Sequence, residues 1–203
     1  MKKYYKNDLF FLFCTSLFFF IIFNYLDNQP LIISSDVKLY YLPFIEDFNN
    51  VYNLFSDDTL GGHLKIFERP PLFLIFLYLI NLLSNVTQVN FHLLFLIVSF
   101  ICLLITNVYS YKIAKLIFQN NNFEYLVILV ISANIYNLYL FNHLNTESLY
   151  ITFIIPGLYY LLNVKKYPKQ FVLAAIFLSL ATLTRPAGAS ILISLILSYF
   201  FFL

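Results

Sequence analysis

Residues 91–115 read FHLLFLIVSFICLLITNVYSYKIAK. No Asp, Glu, Lys or Arg interrupts the run from Phe91 to Tyr111, and Lys112 and Lys115 close it. About 20 apolar residues in a helix cross the hydrocarbon core of a bilayer. Lysines at one end of such a run mark its cytoplasmic side. Both the solvent of this chain and its orientation can be read outward from this stretch.

Other runs repeat the pattern at residues 9–26, 123–141, 148–164 and 187–203, with shorter ones at 170–184 and 71–84. The remaining lysine groups are Lys2, Lys3 and Lys6, and then Lys165, Lys166 and Lys169. Placing all three groups in the cytoplasm requires an even number of crossings between successive groups. The run at 9–26 goes out and 91–111 returns, so 71–84 does not cross and is expected as a helix half-inserted in the outer leaflet. The runs at 123–141 and 148–164 form the next pair, and 170–184 with 187–203 the last. The expected fold is an all-α integral membrane protein of about six transmembrane helices in a single membrane domain, with the N-terminus cytoplasmic.

Composition agrees with this solvent. Of 203 residues, 61% are apolar and 11% are charged. Soluble domains carry about 25% charged residues. A net charge of +2 without a basic stripe excludes a nucleic-acid partner. The N-terminal run is too long for a signal peptide and no small-residue cleavage site follows, so it is expected to remain as a signal anchor. Cys14 and Cys102 fall inside apolar runs and are expected as small buried hydrophobes. No CxxC or HExxH pattern is present, so no metal cluster is indicated. The chain ends within an apolar run, which suggests the N-terminal part of a longer polypeptide.

The parity argument leaves residues 27–90 as one external loop. It is rich in acids: Asp27, Asp36, Glu46, Asp47, Asp57, Asp58 and Glu68. Ser34-Ser35-Asp36 has the chemistry of a helix N-cap. Tyr40, Tyr41, Phe44, Phe48, Val51, Tyr52 and Phe55 then recur at helical spacing, which predicts an amphipathic interfacial helix near 36–55. Pro70-Pro71 opens the half-inserted helix. The 142–148 turn and Arg185 share the same outer face, so three segments distant in sequence converge there.

Three residues on that face could carry chemistry. Asp36 heads the interfacial helix, where a carboxylate could take a proton from an acceptor hydroxyl; from the residues alone the simpler reading, an ordinary N-terminal helix charge, is ahead. Glu147 stands between two spans, where an acid is costly and tends to be functional, or simply caps the next helix. Arg185, in Leu183-Thr184-Arg185-Pro186, suits a phosphate through bidentate hydrogen bonds, against the alternative of snorkelling to head groups. Glu68 and Arg69 form a charge pair beside Pro70-Pro71, and His63 precedes them. Asn85-Val86-Thr87 is a weak glycosylation sequon.

Taken together, these features resemble the GT-C glycosyltransferase superfamily. The likeness rests on the first helix with its long external loop and early Asp36, and on Arg69-Pro70-Pro71-Leu72-Phe73. It rests also on Lys112 and Lys115, the Asn145-Thr146-Glu147 turn and Leu183-Thr184-Arg185-Pro186. It is similar to the dolichyl-phosphate-mannose–protein mannosyltransferases and the lipid A aminoarabinose transferases.

The resemblance implies transfer of a sugar from a polyprenyl-phosphate donor to a lipid, glycan or protein acceptor at the outer face of a membrane, here a bacterial inner membrane. It implies Asp36 and Glu147 as the catalytic acids. Arg185 would be the contact to the lipid phosphate, with Arg69, Tyr40, Glu68 and His63 completing the substrate-binding set. No cluster argues for a metal, although a divalent cation is compatible with the chemistry. The chain departs from the family pattern in having Val37 where many members have a second acid, and Glu147-Ser148 where Asp-Ala is frequent. Members also run past 400 residues. A lipid-linked saccharide transporter or flippase would need ionisable groups lining its spans. A polysaccharide polymerase is a closer rival, and a non-catalytic membrane subunit would tolerate joint replacement of Asp36, Glu147 and Arg185.

Overall fold

The computed structural model describes residues 2–27, 71–118, 124–143, 145–164 and 166–185. The expected interfacial helix near 36–55 and the run at 187–203 lie outside the described residues. Among the described residues every regular element is an α-helix: α1 (Lys2–Asp27), α2 (Pro71–Thr87), α3 (Phe91–Ile117), α4 (Glu124–Ser132), α5 (Ile135–Asn142), α6 (Thr146–Leu162) and α7 (Gln170–Thr184). Within α1 the stretch Asn7–Leu26, and all of α3, are long and apolar enough to cross a bilayer; α4 and α5 together make a third candidate. The chain is an all-α membrane protein.

The surface carries large apolar side chains, among them Phe10 at 70%, Val130 at 64% and Ile135 at 73% exposure. In water such a surface would aggregate; against lipid it costs nothing. The interior is also apolar. Phe20, Phe73, Leu77, Phe95, Leu103, Phe141 and Leu149 form one cluster that joins α1, α2, α3, α5 and α6.

Four polar residues tie α1, α3 and α4 together within this apolar body. Asn107 Nδ2 donates to Ser16 Oγ at 3.0 Å, Ser16 Oγ lies 3.2 Å from Ser132 Oγ, and Thr15 Oγ1 lies 3.0 Å from the same Ser132. Thr15 also donates to the carbonyls of Phe11 and Leu12. Each interhelical bond of this kind is worth roughly 0.6–2 kcal/mol in a membrane.

Two features depart from the sequence reading. The run at 123–141 is not one straight helix: α4 and α5 meet at an angle of 41°. Asn134 is the cause, since its Oδ1 accepts the N–H groups of Tyr136 at 3.1 Å and Asn137 at 3.2 Å and caps a new helix. Cys102 is buried as expected, but Cys14 is exposed, on the side of α1 away from its neighbours. A thiol is apolar enough to face lipid.

Helices α6 and α7 form a hairpin. Its close approach is at Gly157, where a Cβ atom would stand 2.8 Å from Leu178 Cδ2 and 3.4 Å from the Leu178 backbone nitrogen. Glycine lets the two backbones meet. That contact sets the register of the hairpin, and hence which residues face each other at its ends.

Candidate functional site

At one end of the hairpin stand Glu147 and Arg185. Helix α6 begins where Asn145 Oδ1 accepts the N–H of Ser148 at 2.9 Å. The Asn145 amide also donates to the Leu140 carbonyl at 3.0 Å, fixing the start of α6 to α5. Glu147 therefore sits in the first turn, where the helix dipole favours a carboxylate.

Arg185 caps the other helix. Its backbone is extended, with φ −155° and ψ 131°, and its N–H donates to the Ala181 carbonyl at 3.1 Å. The next residue in sequence is Pro186, and a residue before proline is pushed out of helical geometry. The same proline thus ends α7 and turns the guanidinium out of it.

The two side chains meet. Arg185 Nη1 lies 2.8 Å from Glu147 Oε1, and Thr146 Oγ1 donates to Glu147 Oε2 at 3.2 Å. The side chains are 43% and 31% exposed, so the pair is accessible. A guanidinium has five N–H donors and one short contact leaves others available to an anion. Tyr150, one turn along α6, lies within electrostatic reach of Arg185. Behind the pair the turn is buried and polar: His143 is 4% exposed, stacks on Tyr139 at 4.0 Å and places Nδ1 2.7 Å from the Tyr139 carbonyl.

Of the residues singled out from the sequence, Glu147 and Arg185 are thus brought together. Asp36, Tyr40, His63, Glu68 and Arg69 lie outside the described residues. Among the described residues no group of three or more His, Cys, Asp or Glu side chains gathers.

Sequence reasoning missed a second charged cluster at the opposite end of the bundle. Asp8, 2% exposed, accepts from Tyr111 Oη at 2.9 Å and from Lys115 Nζ at 3.0 Å. Lys115 also meets Glu124 at 3.0 Å. The cluster joins α1, α3 and α4. Its only sequence signals are an acid at the mouth of an apolar run and a second at the head of another, and neither specifies a partner.

The described residues form an all-helical membrane body with an acid and a guanidinium presented at one end of a helical hairpin. The family model described as dolichyl-phosphate-mannose-protein mannosyltransferase matches residues 68–203, which is well over half of the chain. The chain belongs to this family of GT-C-type membrane glycosyltransferases. No curated protein and no solved structure matches it.

Proposed function

We propose that this chain moves a sugar from a polyprenyl-phosphate donor to an acceptor hydroxyl at the outer face of a bacterial inner membrane. The observation that carries this reading is the 2.8 Å pairing of Glu147 with Arg185. It joins the start of α6 and the end of α7 into one accessible polar site at one end of the hairpin.

In this reading the chain has six spans, with the helix at 71–84 half-inserted and the lysine groups cytoplasmic. In the reaction, the acceptor oxygen attacks C1 of the donor sugar from the face opposite the lipid phosphate. The C1–O bond to that phosphate breaks, and the configuration inverts. Asp36 takes the acceptor proton. Arg185, with Arg69, meets the charge that develops on the departing phosphate. Glu147 is a positioning residue, holding the guanidinium at the surface where the phosphate arrives. Tyr40, His63 and Glu68 complete the walls from the external loop.

The test uses the full chain in liposomes with radiolabelled polyprenyl-phosphate mannose as donor. Arg185→Gln is expected to lower transfer by about 10²- to 10³-fold, the typical cost of removing one charge-stabilising donor, while the protein still folds. Asp36→Asn is expected to abolish transfer at normal expression. Full transfer by Asp36→Asn would sink the base assignment.

A further inference from the structure

The opposite end of the α6–α7 hairpin carries cations of a different kind. Its turn is built on Asn163, which is 8% exposed. The Asn163 carbonyl accepts the N–H groups of Lys166 at 3.1 Å and Tyr167 at 2.9 Å, while its side-chain amide donates to the Tyr159 carbonyl at 2.8 Å. Lys166 and Tyr167 are thereby fixed against the last turn of α6, which carries Tyr159 and Tyr160. Lys112 reaches the same place from α3: its Nζ lies 4.2 Å from the Tyr109 ring centroid and 5.4 Å from that of Tyr159. Lys166 Nζ lies 5.4 Å from the Tyr167 ring.

The rings of Tyr109, Tyr159 and Tyr160 form one platform. Tyr109 packs against Tyr159 at 5.4 Å and Tyr160 at 5.6 Å, and its hydroxyl meets that of Tyr160 at 2.6 Å. Tyr159 and Tyr167 are close enough to interact electrostatically.

No carboxylate serves this platform among the described residues. Asp8 and Glu124 are taken by Lys115 and Glu147 by Arg185, while Asp27 closes α1 at the end away from Asp8. Ring faces hold an ammonium in place but leave its charge intact. Among the described residues the two ammoniums therefore keep an uncompensated positive charge, which suits an anion. The surroundings say what else that ligand carries. Leu162, Phe171 and Val172, on either side of the turn, are 59%, 58% and 60% exposed. Tyrosines with an apolar body and a polar tip belong at the level of head groups. An anion that sits among such side chains carries an apolar tail.

We propose that Lys112 and Lys166, on the platform of Tyr109, Tyr159 and Tyr160 with Tyr167 beside Lys166, hold the phosphodiester of an anionic phospholipid. From Glu147 to Tyr159 the helix rises about 18 Å at about 1.5 Å per residue, so this lipid is separate from the Arg185 site. Held there, it sets the depth of the hairpin in the bilayer.

The test is native mass spectrometry of the full chain in detergent, titrated with phosphatidylglycerol or with zwitterionic phosphatidylcholine. The wild type is expected to bind one phosphatidylglycerol in preference to phosphatidylcholine. The double variant Lys112→Gln/Lys166→Gln is expected to bind it about thirtyfold more weakly, at about 1 kcal/mol per lysine near a head group. Lys169→Gln removes the same kind of charge outside the platform and is expected to change binding by less than about twofold. Should the double variant fail to fold, Lys166→Gln alone decides, with an expected loss of about fivefold. Three outcomes overturn the proposal: an equal loss in Lys169→Gln, which means diffuse attraction; displacement of the lipid by an equal concentration of inorganic phosphate, which means a free-phosphate site; or no preference over phosphatidylcholine.

Discussion

The two carboxylate–cation sites among the described residues use the same chemistry to opposite ends. At the Lys115 end, Asp8 has a side chain 3% exposed and Lys115 one 31% exposed; two carboxylates close around one ammonium, and the Tyr111 hydroxyl donates to Asp8. At the Arg185 end, one oxygen meets one nitrogen, and both side chains are open to solvent or ligand. The first is a satisfied network whose removal leaves a buried charge unmatched. The second leaves donors uncommitted. Burial and the number of partners, more than the presence of an ion pair, separate a residue that holds helices together from one that can meet a substrate.

The sharpest way to break this comparison is at Asp8. Asp8→Ala strips Tyr111 and Lys115 of a buried acceptor and should cost about 3 kcal/mol, the lower end of the range for breaking a buried pair, because Glu124 still faces Lys115. Thermal unfolding in detergent reads this; a melting temperature within a degree of wild type would show that the Lys115 end is not what holds α1 to α3.

Next in size is the joint between the two helices. Gly157→Leu drives a side chain into Leu178 and should cost about 1–3 kcal/mol by overpacking. Because the contact also sets register, transfer should fall further than stability alone explains. Equal stability with full transfer would remove Gly157 from the account.

The smallest effect on stability is expected at Glu147. Glu147→Gln should change unfolding by less than about 1 kcal/mol, as for other accessible pairs. Transfer should nonetheless fall about tenfold, the worth of one hydrogen bond to a charged group. If stability and transfer moved together, the two ends would be alike and the distinction would fail.

Much of this was legible in the sequence. Apolar runs announced helices because lipid removes the need for amphipathic periodicity, and the run at 170–184 coincides with α7. Glu147 and Arg185 were expected on one face from the spacing of the lysine groups, and they lie in contact. The break at Asn134 was not legible, because an asparagine within an apolar run is silent until its side chain turns back on the backbone. Nor were the partners of Asp8: residue 115 is found by packing, and no local pattern encodes it. The exposure of Cys14 was hidden for a related reason, since in lipid both faces of a helix are apolar.

The most direct test of the account is the sidedness of the two ends. With Cys14 and Cys102 replaced, single cysteines at Glu147, Arg185 and Phe118 are exposed to an impermeant thiol reagent in intact cells carrying the full chain. Phe118 is 65% exposed and ends α3 beside the Lys115 cluster, so it reports that end without breaking the network. The account predicts labelling of Glu147→Cys and Arg185→Cys from outside, and of Phe118→Cys only after the membrane is opened. Labelling of Glu147→Cys only after opening would put the pair on the cytoplasmic side and contradict transfer at the outer face.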